Sequence, residues 1–233
     1  MTEKNYTIPI NEEFDKYDGC PICRLHEKLE RQSLEYIMGA AMMEPDVRIE
    51  TNKKGFCGRH YRDMLSMKNR LSLALMLETH LAVLKRLSGL SPKTGKKELR
   101  SVIESLAAVS DSCFLYSRID STLKKYCSNI VFLWKTEPVF REKLLKQPLF
   151  CYHHAAELLK NGLENLNPKL LYDFASDIFR VTGNGLDEVS EEVSLFCKSF
   201  DYRFSGQDIG SAKQASEHAI DYLIGKYTPN DNN

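Results

Sequence analysis

The sequence is short of everything that would mark a fibrous, exported or broadly electrostatic protein. It has no net charge: 32 basic residues balance 32 acidic ones over 233 positions. The chain as a whole therefore offers no broad field to a nucleic acid or a membrane surface, and neither partner is expected. No run of about 18 apolar residues occurs, which leaves no membrane-spanning helix. The opening Met1–Ile10 lacks an apolar segment of signal-peptide length, so the expected location is the cytoplasm. Glycine (12) and proline (8) are scarce and no low-complexity tract is present, which excludes collagen-like and extensively disordered classes. Walker, dinucleotide, Gly-x-Ser-x-Gly and His-Glu-x-x-His motifs are missing as well.

Alternating β-branched segments are almost absent, whereas apolar residues recur at helical spacing nearly throughout, so the expected fold class is all-α. Leu25, Leu29, Leu34, Ile37 and Met38 mark one helix opening near Pro21, a residue suited to a first helical turn. Leu71, Leu75, Leu77, Leu81, Leu84 and Leu87 mark a longer one, ended by Gly89 and Pro92. Further helices are predicted over 98–109, 113–135, 139–146, 152–163, 168–182, 186–199 and 211–227, with Gly183-Asn-Gly185 as a break. The basic cluster from Lys85 to Arg100 falls in Ser88-Gly-Leu-Ser-Pro-Lys-Thr-Gly-Lys-Lys, which reads as a solvated linker.

The seven cysteines are an odd number, and in a reducing compartment they point to free thiols, metal ligands or redox work rather than disulfides. Their placement repeats. Cys20-Pro-Ile-Cys23 opens a helix, and Gly55-Phe56-Cys57-Gly-Arg-His60 follows 37 positions after Cys20. Cys113-Phe-Leu-Tyr116 opens another, and Leu149-Phe150-Cys151-Tyr-His-His154 follows after 38. Residues 18–90 and 111–200 therefore read as a diverged duplication. The expected organisation is 1–92 as the first Cys/His unit, 93–110 as linker and connecting helix, 111–205 as the second, degenerate unit, and 206–233 as a C-terminal helix and tail.

A zinc ion needs four N or S donors at about 2.0–2.3 Å in a tetrahedron, and two close pairs bring them together most simply. Cys20, Cys23, Cys57 and His60 are the expected ligands of one structural zinc, with helix N-termini favouring thiolate at both pairs. Helix over 23–43 carries the chain about 30 Å away, and residues 44–56, if extended, return roughly 43–47 Å. Closure is feasible on that reckoning. In the second unit Tyr116 stands where Cys23 has its counterpart, leaving Cys113, Cys151 and His154 as a weaker metal set with His153 as a stand-in. Cys127 would lie about 21 Å along the helix from Cys113, too far to help. His80 reads as a core histidine, His26 as exposed helix surface, and Trp134 as a core or inter-helix anchor. His218 has no identifiable partner.

The segments Tyr6-Thr-Ile-Pro-Ile-Asn-Glu-Glu-Phe, Cys20-Pro-Ile-Cys23, Met43-Glu-Pro-Asp-Val-Arg-Ile-Glu-Thr-Asn-Lys-Lys-Gly-Phe-Cys57-Gly-Arg-His60 and Phe200-Asp-Tyr-Arg203 resemble domain-of-unknown-function family 6062, uncharacterised proteins mostly of Firmicute bacteria. The likeness spans nearly the whole chain. Family members often carry Cys-x-x-Cys at the second site, from which Tyr116 departs. Some relatives bear labels as transporter substrate-binding proteins, a role that needs export and does not agree with the expected cytoplasmic location.

A four-ligand site without an accompanying acid, base or nucleophile set predicts a zinc-stabilised, non-enzymatic helical module that binds a protein or small ligand. Two rivals remain: a thiol-redox protein or sensor using Cys20 and Cys23, and a metal-dependent enzyme using the degraded site. The polar, turn-like Asn11–Gly19 supplies no strand of the kind that precedes a thioredoxin-type motif.

Overall fold

The computed structural model describes residues 6–87, 95–204 and 208–225. Among them the regular structure is helical throughout: α1 (Thr7–Phe14), α2 (Pro21–Met38), α3 (Pro45–Lys54), α4 (Gly58–Ser66), α5 (Arg70–Leu87), α6 (Lys96–Ser110), α7 (Phe114–Thr136), α8 (Pro138–Leu145), α9 (Tyr152–Asn165), α10 (Pro168–Lys198) and α11 (Ala215–Ile224), with short 3-10 turns between some of them. The all-α expectation matches. Pro21, Pro45, Pro138 and Pro168 each open a helix, where the fixed φ helps and the missing N–H costs nothing. Asn167 caps α10 by accepting from the Leu170 amide at 3.0 Å. No described helix is long and apolar enough to cross a membrane.

The chain divides into two compact units, one holding residues up to Glu27 with those from Thr122 onward, the other Lys28–Ser121; both boundaries fall within helices, α2 and α7. In the first unit Ile10 and Phe14 of α1 are buried, as are Phe140 and Leu144 of α8, Leu158 of α9, Phe174, Ile178 and Val181 of α10, and Tyr222 of α11. Trp134 is buried there as an anchor: its indole donates to Asp177 at 3.0 Å, and Arg141 covers the ring while donating to the same carboxylate at 2.7 Å. In the second unit the core is Ile37, Met38, Phe56, Met64, Leu73, Met76, Phe114, Leu115 and Ile119. His80 is a satisfied core histidine, with Nδ1 2.8 Å from the Asn52 carbonyl.

Three local expectations are corrected. The return segment 44–56 is not extended: residues Pro45–Lys54 form α3, so these ten residues advance the chain about 15 Å rather than more than 30 Å. Part of the polar stretch 11–19 belongs to a helix, since α1 runs to Phe14 with Ile10, Glu13 and Phe14 buried. Gly183-Asn-Gly185 does not break the chain; α10 continues through it for 31 residues. Its glycine is there for proximity: a Cβ on Gly185 would collide with the Leu149 side chain. The expected helix end at Gly89 and Pro92, and the linker residues 88–94, lie outside the described residues.

Candidate metal centres

Each Cys-x-x-His pair begins a helix in the same way. Cys57 caps α4 at φ −69°, ψ 163° and Cys151 caps α9 at φ −64°, ψ 155°. Their extended backbone turns the sulfur over the first helical turn, where the histidine three residues on also points. Cys20 stands immediately before Pro21 of α2, and Cys113 immediately before Phe114 of α7. Arg24 holds the approach to Cys20, donating to the carbonyls of Glu13, Lys16 and Gly19 at 2.6, 2.8 and 3.1 Å. Gly19, at φ +62°, makes the turn that delivers Cys20 to the helix.

The pairs that meet are not neighbours in sequence. Cys20 and Cys23 converge with Cys151 and His154, and all four ligand atoms lie within 4.8 Å of one another. Cys57 and His60 converge instead with Cys113. The expected set Cys20, Cys23, Cys57, His60 is thus divided between two clusters, and the expected second set Cys113, Cys151, His154 is divided in the same way. The helical α3 is the physical reason: it shortens the return path on which closure depended. His60 is held by Glu30 within α2, its Nε2 3.1 Å from Oε1.

In the four-residue cluster the Cys23 and Cys151 sulfurs are 3.7 Å apart, and Nδ1 of His154 lies 3.7, 3.3 and 3.2 Å from the sulfurs of Cys20, Cys23 and Cys151. A tetrahedral zinc with its usual bond lengths requires edges of about 3.8 Å between sulfurs and about 3.6 Å between sulfur and nitrogen. The match is close to within a few tenths of an ångström. Hydrogen bonding alone does not account for it, because one imidazole nitrogen carries either one proton or one lone pair and cannot serve three thiols. All four residues are buried, with exposures of 6, 4, 0 and 0% for Cys20, Cys23, Cys151 and His154, as in a closed structural site. Nε2 of His154 is also buried and has no hydrogen-bond partner among the described residues.

The thiols of Cys20 and Cys151 shift in opposite directions. Burial pushes the Cys20 thiol up, but hydrogen bonds from Cys151, Cys23 and His154 outweigh it and hold it well below the usual thiol range. Cys151 moves strongly the other way, raised by its hydrogen bonds to Cys20 and Cys23 and by burial. Gly225, just after α11, closes the cluster: a Cβ there would lie 3.4 Å from the Cys151 sulfur and 3.6 Å from that of Cys23.

The three-residue cluster is more open. Nδ1 of His60 lies 3.3 Å from the Cys57 sulfur and 3.1 Å from that of Cys113, and Cys57 is only half-buried. Burial disfavours the imidazolium, yet hydrogen bonds to Cys113 and Glu30 raise the His60 pKa to about 10. Glu30 is itself anchored by Arg59 at 2.8 Å.

The remaining candidates fall outside both clusters. His153 stacks edge-on against His154 with ring centroids 5.1 Å apart. His26 is buried rather than exposed. His218 does have a partner, Glu192, at 2.7 Å. Cys127 is buried and Cys197 exposed. Sequence reasoning missed Glu30 and Gly225, and neither sits in a motif that would have marked it.

Beside the four-residue cluster lies a cavity of about 390 Å³, lined by Cys20, Cys23, Arg24, His218 and the carboxylates of Asp18, Glu188, Glu192 and Asp221. Comparison with curated proteins and with solved structures finds no match. The chain belongs to the family of unknown function DUF6062, whose model matches residues 1–230.

Proposed function

We propose that this protein is a zinc-stabilised helical module in which Cys20, Cys23, Cys151 and His154 hold one structural ion, and that it binds a ligand rather than catalysing a reaction. The observation that carries the metal reading is the approach of three buried sulfurs to the single Nδ1 of His154 at 3.2–3.7 Å. Three thiolates and an imidazole are soft and borderline donors that suit zinc. Elemental analysis of protein purified without a metal-binding tag tests this. An ion present in the natural protein should be missing from Cys151→Ser, and chelation should expose the Cys20, Cys23 and Cys151 thiols to a thiol reagent. Metal-free protein with unchanged thiol reactivity after chelation would sink the reading.

The neighbouring cavity supports the binding role. Its volume falls in the range of small-ligand sites, and its four carboxylates outnumber Arg24 and His218, which suits a small organic cation. Thermal-shift titration with a panel of diamines should find a stabilising compound whose effect falls in Asp221→Asn and Glu188→Gln. A cytoplasmic location is consistent with the seven free cysteines. The repeated helix-capping geometry of Cys57 and Cys151 supports reading residues 18–90 and 111–200 as products of duplication.

A thiol-redox role for Cys20 and Cys23 is the second reading, favoured by the lowered Cys20 thiol. The burial of both sulfurs weighs against it. An ion retained, with no disulfide formed, after mild oxidation would decide against it, since the thiolates would then not be exchanging.

A further inference from the structure

Cys57, His60 and Cys113 repeat the chemistry of the closed cluster with one ligand fewer. Two sulfurs approach Nδ1 of His60 at 3.3 and 3.1 Å, and one ring nitrogen can hydrogen-bond only one of them well. The other nitrogen faces Oε1 of Glu30 at 3.1 Å, and Oε2 of the same carboxylate accepts from Arg59 at 2.8 Å. A carboxylate behind the histidine is the usual device for fixing the ring and raising the basicity of a metal-bound imidazole. Hydrogen bonding among the three ligand residues does not require it.

We propose that Cys57, His60 and Cys113 bind a second zinc ion through three protein ligands, with the fourth coordination position open to a small exogenous donor. The position at which the closed cluster carries its extra cysteine is occupied by Tyr116. It lies three residues after Cys113, as Cys23 lies three after Cys20. Tyr116 meets the site through its backbone, donating its N–H to the Cys113 sulfur at 3.4 Å, a contact that favours thiolate. Cys57 is half-buried, whereas all four residues of the other cluster are buried, so this ligand set is the more open of the two to an exogenous donor. Two thiolates neutralise the divalent charge. The fourth ligand is accordingly a neutral water in the free protein, replaceable by a single small thiolate. Three protein ligands and one exchangeable position are what separate working zinc sites from structural ones.

The test uses the full chain, and its ion count assumes the four-ligand site is filled, while its variants tell the two sites apart. Elemental analysis should give two ions per chain in the natural protein and one in Cys113→Ser. With cobalt in place of zinc, 2-mercaptoethanol should strengthen the sulfur-to-metal absorption of the natural protein but not that of Cys113→Ser. Two variants leave all three ligands in place. Tyr116→Cys should close the site, slowing metal transfer to a chelator at least tenfold and abolishing the mercaptoethanol response. Tyr116→Phe should keep both ions and the response. One ion per chain, lost in Cys151→Ser but kept in Cys113→Ser, would overturn this proposal and leave the four-ligand site standing. No ion at all would overturn both. Loss of the second ion in Tyr116→Phe would make the phenol a ligand and overturn the open position.

Discussion

At Gly225 the backbone sits at φ 77°, ψ 161°, a region open in practice only to glycine and costing a substituted residue about 1–3 kcal/mol. The sulfurs of Cys151 and Cys23 lie 3.4 and 3.6 Å from where a Cβ would stand, so an added methyl would press on the proposed metal ligands. Gly225→Ala should therefore lose about 1–3 kcal/mol in urea unfolding and release metal to a chelator faster than the natural chain. Unchanged stability would show that residue 225 does not hold this conformation in solution. Glu192 presents a smaller effect with a definite sign. Hydrogen bonds from His218 and then Ser211 hold its carboxyl below the ordinary value of 4.5. A lowered carboxylate pKa contributes stability that is present above about 4.5 and lost as pH falls through the folded value. Glu192→Gln should flatten that part of the acid-unfolding profile by less than about 1 kcal/mol, since the pair lies near the surface. A profile identical to that of the natural protein below pH 4.5 would refute the pairing.

Helix α10 carries two glycines whose surroundings differ. Gly183 has open space where a Cβ would go, whereas at Gly185 it would strike Leu149 and come within 3.4 Å of the Tyr222 ring. Alanine is the better helix former by about 1 kcal/mol, so Gly183→Ala should raise stability by up to that amount. Gly185→Ala gains the same propensity but overpacks a close contact, and should lose about 1–3 kcal/mol net. Equal effects from the two substitutions, measured by thermal unfolding, would contradict the packing. The pair also explains why a break was expected here. Gly-Asn-Gly reads locally as a turn, while the reason for Gly185 lies at Leu149, 36 positions earlier. Segment 44–56 misleads in the same way: Glu-Pro-Asp and Thr-Asn-Lys-Lys-Gly look like turn chemistry, but Pro45 opens α3 and Gly55 closes it at φ 60°.

Across the whole molecule, what the sequence makes legible is local. Cys20 with Cys23, Cys57 with His60, and Cys151 with His154 are readable as pairs because residues three apart at a helix start point the same way. Which pair meets which is a long-range matter, set by how far α2 and α3 carry the chain, and no spacing rule contains it. The consequence can be tested by hydrogen exchange. Cys151→Ser, or chelation, should deprotect the starts of α2 and α9, while α3, α4 and α5, which hold no ligand of that cluster, keep their protection. Structural zinc supplies on the order of 10 kcal/mol in small modules, so the local change should be large. Deprotection spread evenly over all the described helices would refute two separately clamped units.

The wide separation of partners also orders events on the ribosome. Cys23 must wait for Cys151, 128 residues further on, which at about 5–20 residues per second is roughly 6–26 s of synthesis. His60 needs only the 53 residues to Cys113. The last residue of the three-residue cluster, Cys113, is thus made 41 residues before His154, the last of the four-residue cluster, so the chain holds one complete ligand set while the other is still being synthesised.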